Sequence, residues 1–435
     1  LYQIAASIGK DPRRHVCVIR PVDYELQGVV RLLRQSRPSS EKGYLVESLW
    51  KYLVYTELAK TVYELLAGKP SHYERNRDEQ ELFSFVEVHR EIVLPEFTLR
   101  MERMIDELRQ VDYSLPSTQQ RIRVSEVLHS LVLAGLREHL GRVLAKKDRV
   151  FILVDNLDKI WAPGEDLVDL SQFLFGLLGL AQVIPNEFQK TGVSWRPVNL
   201  SVLVFLRTDI FSYIMSAANE ADKIMYSILD WNDRRLLQRV VEQRFVQSAE
   251  GSLQPEDVWV QFFSPTVDQR STKDYLVDRV IPRPRDIIYW CKAALAAAIN
   301  HGHTRIEEDD VLAGESQYSQ HVFQSLVTEV SSRISKSEDL LHEFAGLPTI
   351  VTKDDVKQCL ERAGVCETEL GSVIDALCAT GFLGLETGQS RFDFLYENGR
   401  KPVLQSLARK MAETQGIERF AIHSSYHSYL EIGKA

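Results

Sequence analysis

The chain has 435 residues and a formal net charge of -9, with ordinary apolar (44%) and charged (26%) fractions, so it is long enough for two or three domains around a large core. The acidic balance excludes general adhesion to nucleic acid and leaves room only for a local basic patch, and no apolar run reaches the ~20 residues that a membrane span needs. Five cysteines, Cys17, Cys291, Cys359, Cys366 and Cys378, form an odd set without CxxC spacing, which suits a reducing compartment, here read as the cytoplasm, rather than a disulfide framework.

In chain order, "LYQIAASIGKD" reads as a helix already under way at Leu1, so the natural N-terminus is expected upstream. "HVCVIRP" (His15 to Pro21) reads as a short buried strand. Helical patterning follows from about Tyr24 to Leu66 and from Leu94 to Leu144. It is interrupted by the Pro and Ser cluster at Arg37 to Lys42 and by the charged "KPSHYERNRDEQE". "RVFILVDNLDKIW" (Arg149 to Trp161) is a second buried strand running into acid. Asp166 to Gln189 is a buried helix. "LSVLVFLRTDIF" (Leu200 to Phe211) is a third strand, and "YSILDW" is a short strand or a strand-like entry to the helix "NDRRLLQRVVEQRF". Continuous aliphatic strands alternating with helices predict a parallel sheet covered on both faces.

From Leu253 to Ala313 the pattern is of short helices. In "IPRPRDIIYWCKAALAAAIN", Pro284 suits a first helical position, and Ile287, Cys291, Leu295 and Ala298 fall on one face. The last ~85 residues read as a separate module. A helix begins at the capping box Thr352 to Asp355, a second helix ends at Gly381, and "FLGLETGQSRFDFLY" forms two strands around a Thr-Gly-Gln turn. Helix, helix, hairpin is the winged-helix order.

The chemistry concentrates at two places. Asp155 ends a buried strand, where a carboxylate is costly unless it has work to do; at the carboxyl end of a parallel sheet it can hold Mg2+, usually through water. The plain alternative is a capping Asp that opens the next turn. Asn156 follows it and can position a water but cannot accept its proton. Asp158 supplies a further carboxylate, or else a helix cap or an ion pair. Arg207 follows "VLVFL" and reads as a sensor of a terminal phosphate, or as a surface partner of Asp209. Arg283 and Arg285 flank Pro284 at a helix start, where the dipole favours anions by about 0.3–1 kcal/mol; cations there make sense if they reach toward a phosphate, with neutralisation by Asp286 as the alternative.

The ordered stretches "FILVDNLDK", "VLVFLRTDIF", "ILDWNDRRLLQRVVEQRF" and "RPRDIIYW" resemble the STAND and KAP-like branch of P-loop ATPases, related to the AAA+ class. The resemblance covers roughly Leu1 to Ala313. It implies an α/β fold: an N-terminally incomplete parallel-sheet P-loop NTPase core over residues 1–250, a helical lid over 251–315, and a winged-helix-like domain with a helical linker over 316–435. It makes Asp155 the magnesium-holding acid, Arg207 the sensor 1 residue and Arg285 the sensor 2 residue. Trp231 and Arg244 match positions around the following helix, and Arg234, Arg235 or Arg239 would be available to a neighbouring subunit. No GxxxxGKS/T cradle occurs in the chain, so the resemblance places it just before Leu1. ATP and Mg2+ are the implied ligands, with slow hydrolysis because of Asn156. Nucleotide held between sheet edge and lid would act as a switch on a protein partner, an effector subunit or another copy of the chain; prokaryotic proteins of this type often serve antiphage defence or stress signalling.

Three other readings compete. A winged helix suggests DNA binding of the replication-initiator kind, yet the segment Glu367 to Thr380 contains no Lys or Arg, and Val351 to Ala435 holds ten Lys plus Arg against twelve Asp plus Glu, so a protein-contact role fits better. A zinc reading of Cys359, Cys366, Cys378, His423 and His427 lacks ligand spacing; "IHSSYHSYL" is expected instead as a terminal helix packing Ile422, Tyr426 and Leu430. Asn156 also keeps open a nucleotide-binding scaffold without catalysis.

Overall fold

The computed structural model describes residues 2–21, 39–109, 119, 132–157, 167–190, 196–217, 224–249, 253–330, 337–395 and 401–433. Among the described residues, helices predominate over a small parallel sheet and two antiparallel ones, and the chain divides into two compact units, Leu1–Tyr226 and Ser227–Ala435.

In the first unit, α1 (Tyr2–Gly9) leads into β1 (Arg14–Ile19), which lies beside β2 (Arg149–Val154) and then β3 (Leu200–Val204) in a three-stranded parallel sheet of order β1-β2-β3. The central strand β2 is the most enclosed, with Val150, Ile152, Leu153 and Val154 all buried, as expected for a parallel strand covered on both faces. The helices are α2 (Ser39–Ala67), α3 (Arg77–Val88), α4 (Arg90–Val93), α5 (Phe97–Arg109), α6 (Leu133–Leu144), α7 (Leu167–Gln189) and α8 (Thr208–Ala217).

Helix α2 is apolar on several faces: Trp50, Tyr52, Leu53, Val54 and Tyr55 are buried in succession or nearly so, which a helix tolerates only at the centre of a core. It packs against β1 and α7. Trp50 stacks on Phe173 with ring centroids 4.6 Å apart, and its indole N–H donates to the Phe173 carbonyl at 3.0 Å. Gly176 lets the two helices meet, since a Cβ there would lie 2.4 Å from Val46 Cγ1. Arg100 of α5 is buried and donates to Glu57 and to Thr56 Oγ1, the latter at 2.7 Å.

The charged break expected over residues 69–81 ends earlier than its composition implies. Asn76 and Glu79 form a capping box, so the acidic run after Asn76 is the first turn of α3, where negative charge favours the helix. Helix α7 continues through Pro185 to Gln189. "YSILDW" forms no strand: Tyr226, Ile228 and Leu229 are exposed, and no described strand pairs with them.

The second unit opens with α9 (Arg234–Ser248), whose Leu237 and Val241 enter this unit's core, followed by α10 (Val258–Phe262), the two-residue strands β4 (Thr266–Val267) and β5 (Arg270–Ser271), α11 (Thr272–Arg279), α12 (Pro284–His301), α13 (Glu308–Val330) and α14 (Ser337–His342). Trp290 of α12 stacks on Tyr318 of α13 with centroids 5.3 Å apart, and its indole donates to the Val311 carbonyl at 3.0 Å. The buried face of α12 runs Ile287, Cys291, Ala294, Ala298. Leu295, expected on that face, is 43% exposed, because the close approach of Gly314 to Ala294 turns the small residues inward.

The C-terminal part comprises β6 (Ile350–Thr352), α15 (Lys353–Arg362), α16 (Leu370–Ala379), β7 (Leu383–Gly388), β8 (Arg391–Asp393), α17 (Lys401–Gln415), β9 (Arg419–Ile422) and α18 (His427–Leu430). The capping box joins Thr352 to Asp355 and starts α15. Gly381, at φ 79°, ends α16 in the left-handed conformation, and the N–H of Phe382 reaches the Leu377 carbonyl at 3.0 Å. The expected hairpin is present as β7-β8, but within a four-stranded antiparallel sheet of order β6-β9-β7-β8. Ile422 therefore ends a strand instead of starting a helix; Ile422, Tyr426 and Leu430 are all buried as expected.

Candidate functional site

The parallel register aligns the three carboxyl ends of the first sheet. Ile19 pairs with Val154, and Val154 with Val204. The ladder runs one step further: the Asp155 N–H donates to the Ile19 carbonyl at 3.0 Å and the Phe205 N–H to the Val154 carbonyl at 2.9 Å. Asp155 is thus the first residue of the middle strand to leave the sheet. It is half-buried, flanked in sequence by buried Val154 and buried Leu157. Arg20, half-buried, leaves β1 at the same edge, and sequence reading did not single it out although it follows a buried strand as directly as Asp155 does.

Asn156 has φ 64°, in the left-handed region that Asn adopts more readily than most residues with a side chain. The backbone turn gives Asn a structural reason to be here, in addition to any role toward water. Asp158 lies outside the described residues. Arg207 is exposed and directly precedes α8, whose residue Phe211 donates its N–H to the Arg207 carbonyl at 3.0 Å. The alternative partner of Arg207, the Asp209 side chain, also lies outside what is described.

In β1, burial drives the titratable groups toward neutrality. His15 donates or accepts at Thr61 Oγ1 (3.2 Å), and its pKa is lowered to about 4 by burial and by the charge of Lys147. The Cys17 thiol is pushed up to about 12 by burial. At neutral pH the imidazole is therefore uncharged and the thiol keeps its proton. A shallow hollow of about 460 Å³ between α3 and α6 is lined by Arg77, Glu81, Phe85 and His139 among others, and by no strand-end residue. Glu81 there is held by Arg77 at 2.8 Å and by Arg142 at 2.7 Å.

In the second unit, Pro284 occupies the first turn of α12 and Arg283 its N-cap position, with no side-chain cap. Arg283 is half-buried and Arg285 exposed. The Asp286 side chain is buried, and burial raises its pKa against the opposing charges of Arg283, Arg285 and His321. Arg234 pairs with Asp278 at 2.5 Å, while Arg235, Arg239 and Arg244 stand exposed along α9, and Trp231 packs against the unit's core.

The zinc reading of the C-terminal residues has no geometric basis. Cys359 and Cys378 are buried, Cys366 is exposed, and none of the five cysteines is in a disulfide. His423 Nδ1 accepts the Ser425 N–H at 3.1 Å, and His427 Nε2 meets the Ile422 carbonyl at 2.8 Å. Among the described residues, no helix is long and apolar enough to cross a membrane.

Residues 235–327 match the model of a family described as the FunZ-associated C-terminal helical domain, a stretch that runs from α9 into α13. No curated protein matches the chain. Among solved structures the chain is similar to the Aeropyrum pernix ORC2 protein in its ADP form, at 14% identity over 67% of this chain and 75% of that one. The TM-score is 0.31, a likeness too loose to carry an argument.

Proposed function

We propose that the chain binds ATP with Mg2+ at the carboxyl edge of the parallel sheet and acts as a nucleotide-dependent switch or assembly module with low intrinsic ATPase activity. The observation that carries this reading is the position of Asp155, one residue past the aligned end of the central strand, half-buried and next to a left-handed Asn. In an open parallel sheet ligands gather beyond the strand ends, and a carboxylate there suits a magnesium ion that keeps most of its waters and takes other oxygens from phosphates.

Asp155 would orient the hydrated ion. Arg207 would answer to the terminal phosphate, Asn156 and Asp158 would bear on the attacking water, and Arg283 and Arg285 would supply cations that respond to bound phosphate. These roles rest on the sequence resemblance and on the residue types. The protein partner, effector subunit or second copy that such a switch would act on belongs to the same proposal, as does any part in antiphage defence or signalling.

The test is equilibrium binding of Mg-ATP to the chain together with any residues encoded before Leu1, with Asp155→Ala alongside. Magnesium-dependent binding that the substitution weakens at least tenfold supports the reading; equal binding by both proteins, or none, removes it. Turnover by the same two proteins separates a slow ATPase from a nucleotide-binding scaffold. Strong, salt-sensitive retention on DNA would favour the replication-initiator alternative.

A further inference from the structure

Between α12 and α13 the chain makes a short turn, "HGHTRIEEDD", that brings two imidazoles onto one carboxylate. His301 is the last residue of α12. Gly302 follows at φ 73°, and the N–H of His303 returns to the Ala298 carbonyl at 2.9 Å. The left-handed glycine swings His303 back toward His301. Asp310 enters from the first turn of α13 with a fully buried side chain. His301 Nδ1 lies 2.6 Å from Asp310 Oδ1, and His303 Nδ1 lies 2.7 Å from Asp310 Oδ2. The Glu307 N–H donates to the same Oδ2 at 2.9 Å.

We propose that His301, His303 and Asp310 form a binding site for one divalent transition-metal ion, with Zn2+ the best-suited occupant. Two neutral imidazoles and one carboxylate are a ligand set that zinc takes in tetrahedral sites, and it leaves a fourth position to water. The three donor atoms already lie within 4.8 Å of one another. Donors around a tetrahedral zinc stand about 3.3 Å apart, so each ring must part from the carboxylate by roughly 0.6–0.7 Å, and the widest-spaced donors must close by up to about 1.5 Å. The rings themselves are well disposed: their centroids are 5.4 Å apart and tilted by 57°, where two imidazoles bound through nitrogen to one tetrahedral ion would lie about 5 Å apart.

The outer contacts fit a ligand role. The Glu307 N–H fixes one carboxylate oxygen, the kind of support that orients metal ligands. The imidazoles are half-exposed, 50% for His301 and 37% for His303, which gives an ion and its water a way in. Glu307, Glu308 and Asp309 add negative charge, while the nearby Arg305 is turned aside to the Phe263 carbonyl at 2.8 Å and to Glu307 at 3.3 Å. On binding, each ring would carry its proton on Nε2 and offer the Nδ1 lone pair; the end of one helix, the turn and the start of the next would then be tied together. The site needs no nucleotide and is independent of the function proposed above.

The chain is stripped with chelator, dialysed and titrated with ZnCl2 alone, with MnCl2, ferrous salt under argon and MgCl2 as comparison arms. Bound metal is counted after gel filtration, and cobalt(II) reports coordination by its visible absorption. The variant is His301→Gln with His303→Gln, which keeps a donor for the buried carboxylate and removes the imidazole ligands. The expected result is one zinc per chain, a tetrahedral cobalt spectrum, and at least a tenfold weaker zinc affinity in the double variant, with magnesium not retained by either. Less than half an equivalent of zinc on the stripped chain, or equal zinc binding by the double variant, overturns the proposal. If the double variant fails to fold, His303→Gln alone decides by the same tenfold criterion, read against the metal-free melting curve of each protein.

Discussion

Asp155 hands its backbone N–H to the Ile19 carbonyl at 3.0 Å, one step beyond the last paired residues of β1 and β2. The main chain of this acid is therefore fixed by the sheet, and its side chain is the first that the middle strand leaves outside the ladder. Asp155→Asn keeps the shape and the backbone bond and removes the charge. We expect it to weaken Mg-ATP binding at least tenfold, about 1.4 kcal/mol, while the unfolding midpoint stays close to that of the parent. Calorimetric titration with and without Mg2+, beside a thermal melt, checks both halves.

Asn156 at φ 64° gives a second expectation. A β-branched side chain in that conformation is a steric outlier, so Asn156→Val should lower stability by roughly 1–2 kcal/mol, whereas Asn156→Gly should be close to neutral. Urea melts of the two variants measure the difference. Equal effects would mean that the turn relaxes out of the left-handed region.

The protonation of His15 links the first unit to pH. Its folded pKa is about 4 against an ordinary 6.5, so the folded state binds fewer protons between those values. Stability is intact above pH 6.5 and falls as the pH drops from 6.5 to 4, by up to about 3 kcal/mol for this one group. His15→Gln should flatten that part of the stability curve. Unfolding midpoints collected every half unit of pH test it; an unchanged slope would show that the imidazole gains its proton without loss of the fold.

Glu386 of β7 is buried and held by Arg419 of β9, with Arg419 Nε 2.8 Å from Oε2. The guanidinium keeps the carboxylate below its usual 4.5, so this contribution is present above that pH and is lost as pH falls through the lowered value. Arg419→Ala removes the strongest partner of the Glu386 carboxylate, which keeps the Gln415 amide and the Ser390 N–H, and should lower stability; adding Glu386→Gln should recover part of the loss. A double-mutant cycle on the full chain by denaturant unfolding gives the coupling.

Much of this architecture can be read from local pattern. An unbroken aliphatic run ending in Asp155 marks a strand end, Pro284 marks a helix start, and Thr352 with Asp355 forms a cap whose two bonds span three residues. The failures lie where distant chain decides. "YSILDW" has β-like composition but no described strand beside it, and composition alone cannot supply the ladder. Ile422 looks helical in its own neighbourhood, yet Ala421 pairs with Ile350 some seventy residues away. Leu295 and Ala294 compete for one helix face, and the choice falls to the smaller residue because Gly314 lets the neighbouring helix come so near. The cluster of His301, His303 and Asp310 spans a helix end, a turn and a helix start, so no single periodicity reveals it; a His-x-His pair followed by an acidic turn was the available signal. At the candidate nucleotide edge, the position of Asp155 was legible, whereas the left-handed backbone of Asn156 was visible only in the folded chain.

The order β6-β9-β7-β8 has a consequence for how this protein is made. β9, the last of these four strands to be synthesised, is an interior strand of its sheet. Until residues 419–422 leave the ribosome, β6 and β7 face each other across an unfilled slot. Their exposed N–H and C=O groups offer a template to any passing extended peptide. Nascent chains stalled short of Arg419 should therefore be the species most prone to chaperone capture or to mispairing with one another.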